Sequence, residues 1–191
     1  MSVPPAETPA RAQAPRRVAV IASASGNGKT TFARELARRL GTTAIELDAL
    51  VHGPHWRETP DDELRATLTP LLAEEAWVCD GTYQRKIGDL VLERADTVIW
   101  LDLPIAVWLP RLVRRTYRRL RGREPLWNDN TESLASALGS RDALIPFALR
   151  SHFQRRREWP RDLANRPVVR LRSRREVAAY LRGVPAPTTE P

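Results

Sequence analysis

A lysine set between a glycine and a threonine is the residue of this chain whose type and spacing most directly suggest chemistry. Positive charge is written almost wholly as arginine, 29 residues against two lysines, yet one lysine is kept in Ser23-Ala24-Ser25-Gly26-Asn27-Gly28-Lys29-Thr30-Thr31. A phosphate chain needs several backbone N–H groups converging on it, and small residues let the backbone come that close. Gly26 and Gly28 supply that freedom. Lys29 is a flexible point charge able to follow a β/γ-phosphate, whereas a guanidinium is fixed in a fork. Thr30 offers the hydroxyl that magnesium takes in such loops, and the helix that follows aims its N-terminus at the anion. Ser23 stands where the full glycine pattern asks for a first glycine.

The flanking pattern fits that chemistry. Val18-Ala19-Val20-Ile21-Ala22 reads as a buried strand entering the loop, and Phe32, Leu36 and Leu40 form an i, i+4, i+8 stripe on a helix leaving it. Strand-like and helix-like segments alternate from Arg16 to Leu181, the signature of a parallel sheet wrapped by helices. Strands are predicted at about 17–23, 43–48, 76–80, 97–103 and 167–172, and helices near 30–40, 60–75, 84–93, 105–121, 141–164 and 174–182. Thr59-Pro60-Asp61-Asp62 reads as a capped helix start, while Pro70 and Pro110 are expected to kink or shorten their helices. The polar stretch from about 121 to 140 reads as a lid over a phosphate site. Residues 1–15 and 183–191 read as disordered tails around one domain, 16–182.

The 191 residues give enough chain for one sizeable core, and no apolar run is long enough to span a bilayer. Without a signal-peptide pattern, and with Cys79 unable to form an internal disulfide, a soluble cytoplasmic protein is expected. A formal charge of +8 favours anionic partners, among them nucleotides and nucleic acid.

Further candidates fall where strands should end. Asp48 closes the second predicted strand, and in open α/β sheets ligands sit at the carboxyl ends of strands. It reads either as a carboxylate that takes a substrate hydroxyl's proton or as a turn former. His52, His55 and Trp56 nearby fit a substrate pocket better than a metal site. Asp80, before Gly81, and Asp102, before Leu103-Pro104, compete for the magnesium-binding carboxylate, and the glycine after Asp80 favours the former. Arg111, Arg114, Arg115, Arg118, Arg119, Arg121 and Arg123 crowd one helix and its exit, opposite apolar Leu109, Leu112, Val113 and Leu120. So many like charges point to an anionic partner, and phosphoryl transfer needs them. Arg155-Arg156-Arg157, beside Phe153 and Trp159, reads as an amphipathic helix with its aromatics inward, or as a grip on a nucleic-acid backbone.

On Gly26 to Thr31, Leu47-Asp48-Ala49-Leu50, Trp56 to Pro60, Asp80-Gly81-Thr82-Tyr83 and Leu171 to Val177, the chain resembles the adenylate-kinase-like P-loop kinases, and among them the proteins labelled DNA topology modulation protein. The matches span about residues 17–182. The resemblance implies a three-layer P-loop NTPase fold with a five-stranded parallel sheet and a small arginine-rich lid. It also implies ATP and Mg²⁺ as cofactors, with Ser25 to Thr31 cradling phosphates and Thr30 and Asp80 holding the metal. By the same resemblance Arg85 touches substrate phosphate, Arg114 and Arg118 open the lid, Arg172 and Ser173 lie beside the adenine, and Asp48 is a substrate carboxylate. The expected activity is transfer of the γ-phosphoryl of ATP to a small acceptor, a nucleotide or a hydroxyl metabolite. The rival expectation is an ATP-binding regulatory protein contacting DNA through its basic helices, with little transfer, and ATP hydrolysis without an acceptor is a third.

Overall fold

The computed structural model describes residues 15–53, 57–122 and 143–184. The expected tails, most of the expected lid, His55, Trp56 and Arg123 therefore lie outside the described residues.

Five parallel strands form one sheet in the order β2-β3-β1-β4-β5. These are β1 (Arg17–Ala22), β2 (Thr43–Glu46), β3 (Trp77–Asp80), β4 (Thr97–Leu101) and β5 (Val168–Leu171). Val18, Ala19 and Val20 of the central strand are wholly buried, as a strand covered on both faces must be. The register pairs Val20 with Asp80 on one side and Ala22 with Leu101 on the other. The loop leaving β1 thus emerges between the ends of β3 and β4, where the strand order reverses and a crevice opens.

Helix α1 (Lys29–Leu40) follows the loop, burying Phe32 and Leu36 as the stripe requires. With α8 (Arg174–Gly183) it covers one face of the sheet, over Val18, Val20, Val78 and Ile99. The other face packs under α2 (Leu47–Val51), α3 (Asp61–Leu71), α4 (Gln84–Ile87), α5 (Leu90–Arg94) and the end of α7 (Leu144–Asp162), which supplies Trp159. Helix α6 (Ile105–Gly122) leaves β4 and packs Trp108 and Leu112 with Ala24 of the loop and Ala148 of α7. Among the described residues no helix is long and apolar enough to cross a membrane.

All five strands lie where the sequence put them, within a residue or two. The differences are local. The second strand stops at Glu46, because Leu47 and Val51, one helical turn apart, are both fully buried and draw the chain into α2. Asp48 accordingly stands in the first turn of a helix and does not close a strand. The helix expected over 84–93 breaks at Gly88, which adopts φ 63°. Thr59 does not cap α3: its hydroxyl donates to the Leu50 carbonyl at 2.6 Å and ties down the end of α2. Helix α3 ends one residue after Pro70, whereas Pro110 sits inside α6, which runs on to Gly122.

Candidate active site

The loop Ser23–Gly28 is held open from below. Gly26 has φ 85°, and a Cβ there would stand 2.7 Å from the Trp108 carbonyl oxygen, so only glycine fits. Asn27 is buried and wired to the backbone, its Nδ2 donating to Ala24 O at 2.8 Å and its Oδ1 accepting from Leu103 N at 3.0 Å. Its side chain braces the loop and is not offered to a ligand. Gly28, at φ 86°, begins α1 with no side-chain cap, which leaves first-turn N–H groups for an anion. Ser25 and Thr30 are half-buried and Thr31 is exposed.

Ser23, the departure from the glycine pattern, has its explanation here. Among the described residues Tyr83 is the only non-glycine with positive φ, so position 23 does not require glycine. The Ser23 hydroxyl donates to Asp102 Oδ1 at 2.6 Å and accepts from Trp100 Nε1 at 2.8 Å, all three groups buried. Nothing local announced this contact, because its partners lie 77 and 79 residues away.

The structure separates the two competing aspartates. Asp80 is 2% exposed, and its Oδ1 bonds the Lys29 ammonium. Gly81 beside it has φ 110°, and a Cβ on it would stand 3.3 Å from Lys29 Nζ. Asp102 is 1% exposed and engaged on both oxygens, with Arg170 donating twice to Oδ2, at 2.6 and 3.0 Å, and Arg156 Nε at 3.2 Å. Arg170 also lies over the Trp100 ring, 3.9 Å from its centroid. An incoming cation would have to displace only a flexible lysine at Asp80, but a salt-bridge network at Asp102. The Asp80 carboxylate and Thr30 hydroxyl are hard oxygen donors that suit magnesium, which commonly takes one or two protein oxygens and leaves the rest to phosphate and water.

Beside Gly81 a further group assembles. Tyr83 donates its phenol proton to Asp48 Oδ1 at 2.5 Å, and its oxygen lies 3.2 Å from His52 Nε2. Its backbone is left-handed, φ 41°, a strained state for a bulky residue. Burial, then the Asp48 carboxylate, pushes the phenol far above its ordinary range and keeps it protonated. The sequence assigns Tyr83 no role, because a left-handed tyrosine has no local signal.

Among solved structures, a gluconokinase from Sinorhizobium meliloti 1021 matches with a TM-score of 0.50 and 21% identity, over 88% of this chain and 92% of that one. A shikimate kinase from Bacteroides thetaiotaomicron matches with a TM-score of 0.51 and 18% identity, over 88% and 95%. The chain has the fold of the P-loop kinases. No family model and no curated protein matches it.

Within that fold the arginines divide into two sets. Arg111, Arg114, Arg118 and Arg121 line the exposed side of α6. Burial beside Arg174 lowers the pKa of Arg111 from its ordinary value. The inward side of α6 carries Trp108, Leu112 and Thr116, while Val113, expected among the apolar residues, is 45% exposed. On α7, Arg155 donates to the Ala22 carbonyl at 2.9 Å and Arg156 reaches Asp102, so two of the three consecutive arginines serve the base of the loop. Trp159 packs inward against Trp100, their centroids 5.4 Å apart, but Phe153 is 60% exposed, contrary to expectation. Arg85 is exposed in the first turn of α4, and Arg172 is exposed before α8. Ser173 caps α8, accepting from Glu176 N at 3.1 Å. Its hydroxyl is therefore committed to the helix.

Proposed function

We propose that the protein is a P-loop phosphotransferase that moves the γ-phosphoryl of ATP, with Mg²⁺, to a small acceptor, a nucleotide or a hydroxyl metabolite. The observation that carries this reading is Lys29 beside a buried Asp80 at the mouth of a glycine loop that opens onto an uncapped helix. Lys29 and the loop N–H groups from Ser25 to Thr31 hold the β- and γ-phosphates, and Arg114 and Arg118 balance the charge that develops on the transferred group. Arg85 steadies the acceptor's side, and Arg172 and Ser173 flank the adenine. Thr30 and Asp80 would hold the magnesium, which would supply neutralisation of phosphate charge. Lys29 leaves Asp80 for the phosphates as the nucleotide binds, so the one ion pair keeps both groups stable until they are needed. Asp48 takes the acceptor's proton.

The resemblance to adenylate-kinase-like proteins supports ATP as the donor, and the fold shared with a gluconokinase and a shikimate kinase supports small-molecule transfer. The test is ADP release with Mg²⁺ across nucleoside monophosphates, nucleosides and small hydroxyl compounds, with duplex DNA as a separate addition. Acceptor-stimulated ADP release with a matching phosphorylated product is expected. Tight ATP binding with no acceptor effect and a response to DNA would overturn the reading in favour of a regulatory protein.

A further inference from the structure

The hydrogen bonds around Tyr83 have a direction. A phenol carries one proton, and the 2.5 Å contact with the Asp48 carboxylate takes it. At 3.2 Å, His52 must then donate its Nε2–H to the phenol oxygen. The chain runs from His52 through Tyr83 into Asp48 Oδ1, and Asp48 Oδ2 accepts no hydrogen bond from any described residue. Tyr83 keeps its left-handed backbone within this chain, and strain of that kind persists where the surroundings over-determine it, often at functional sites. The phosphate loop is close by. A Cβ placed on Gly81 would stand 3.3 Å from Lys29 Nζ and 3.8 Å from Tyr83 Cδ2, so lysine and ring line the same gap.

The charges around that gap are matched or negative. Lys29 bonds Asp80, and Lys86 is held between Glu58 at 3.0 Å and Asp61 at 2.9 Å. Glu58 is bridged through its backbone to His52. Arg57 and Arg85 are exposed. Asp48, Glu58 and Asp80 all act on the Tyr83 hydroxyl to hold its proton, and the two described lysines beside the gap are each already paired with carboxylates. An anionic acceptor seated here meets carboxylates, while a neutral hydroxyl meets a free carboxylate oxygen.

We propose that His52, Tyr83 and Asp48 form the acceptor end of the site, and that the acceptor is an uncharged alcohol whose hydroxyl takes the second oxygen of Asp48. This rests on the phosphotransferase reading and narrows it. In the step, the alcohol O–H proton passes to Asp48 Oδ2 as its oxygen bonds the γ-phosphorus. The bond from that phosphorus to the β,γ-bridging oxygen breaks, and ADP leaves with that electron pair. Tyr83 is a positioning residue that fixes Asp48 through the other oxygen.

Two measurements test this. The first compares ADP release by the full chain with uncharged polyols, sugars and nucleosides against nucleoside monophosphates. Stimulation by a neutral alcohol, with its phosphate ester as product, is expected. Stimulation by monophosphates alone would overturn the proposal and leave the phosphotransferase standing, and no stimulation by either class would remove both. The second uses Tyr83→Phe. With the alcohol, kcat is expected to fall on the order of 10²-fold while ATP affinity stays unchanged. The KM for the alcohol should stay within about twofold, so that the loss falls on kcat and not on ground-state binding. A folded Tyr83→Phe protein with unaltered kcat would overturn the positioning role.

Discussion

Two aspartates stand on either side of the central strand, Asp80 as the last residue of β3 and Asp102 directly after β4, and both are almost wholly buried. Asp102 spends both oxygens on the fold, bound by Ser23, Arg170 and Arg156. Among the described residues Asp80 has one side-chain partner, Lys29, whose side chain is 24% exposed. Breaking up the first arrangement leaves two guanidinium groups without their counter-charge. Releasing the second lets a flexible ammonium move to another anion. Two carboxylates of the same type, at the carboxyl ends of the two strands that flank β1, thus have partners of opposite kinds, one set fixed and the other mobile.

The sharpest way to break this comparison is at Lys29. Lys29→Met is expected to lower turnover on the order of 10³-fold, read as ADP release, in a protein that still folds. Retained turnover would end the assignment. Asp80→Asn should cost on the order of 10²-fold in rate, with unfolding free energy changed by only about 1 kcal/mol, since the orphaned lysine is partly in water. Asp102→Asn should do the reverse, losing about 3 kcal/mol in urea unfolding because Arg170 and Arg156 lose their counter-charge, with nucleotide binding preserved in the folded fraction. A swap of these two outcomes would exchange the roles of the aspartates.

Smaller effects sharpen it. Ser23→Gly restores the common loop pattern, yet it should lose about 1–2 kcal/mol, because Trp100 Nε1 and Asp102 Oδ1 are left unpaired, and turnover should not rise. A more stable Ser23→Gly protein would show that the network beneath the loop is dispensable. The last test lies one residue before Asp80. Burial pushes the Cys79 thiol up to about 12, so iodoacetamide at pH 8 should leave the native protein unlabelled and modify it only in denaturant. Rapid native labelling would mean that the end of β3 is wet and that Asp80 is not held in a dry site.

The two aspartates also mark where reading the sequence stops. Glycine spacing, a lone lysine and the i, i+4 stripe of α1 are local signals, and they placed the loop, the five strands and Asp80 next to its glycine. Asp48 was found as a residue but assigned to a strand, because Leu47 and Val51 become helical only once both are buried. The inward turn of Arg155 and Arg156 was likewise invisible, since their partners are Ala22 and Asp102, far away along the chain.

By itself the sequence determined the order of strand, glycine loop and helix and the alternation that makes a parallel sheet, because these depend on residues within a few positions of one another. Only the tertiary structure decided which aspartate is held by the fold and which is held by a lysine that can move. It alone brought Tyr83 onto Asp48 and His52, and it alone gave Ser23 its work. Those outcomes depend on burial and on hydrogen bonds between residues 31 to 79 positions apart, which exist only after the sheet has closed around them.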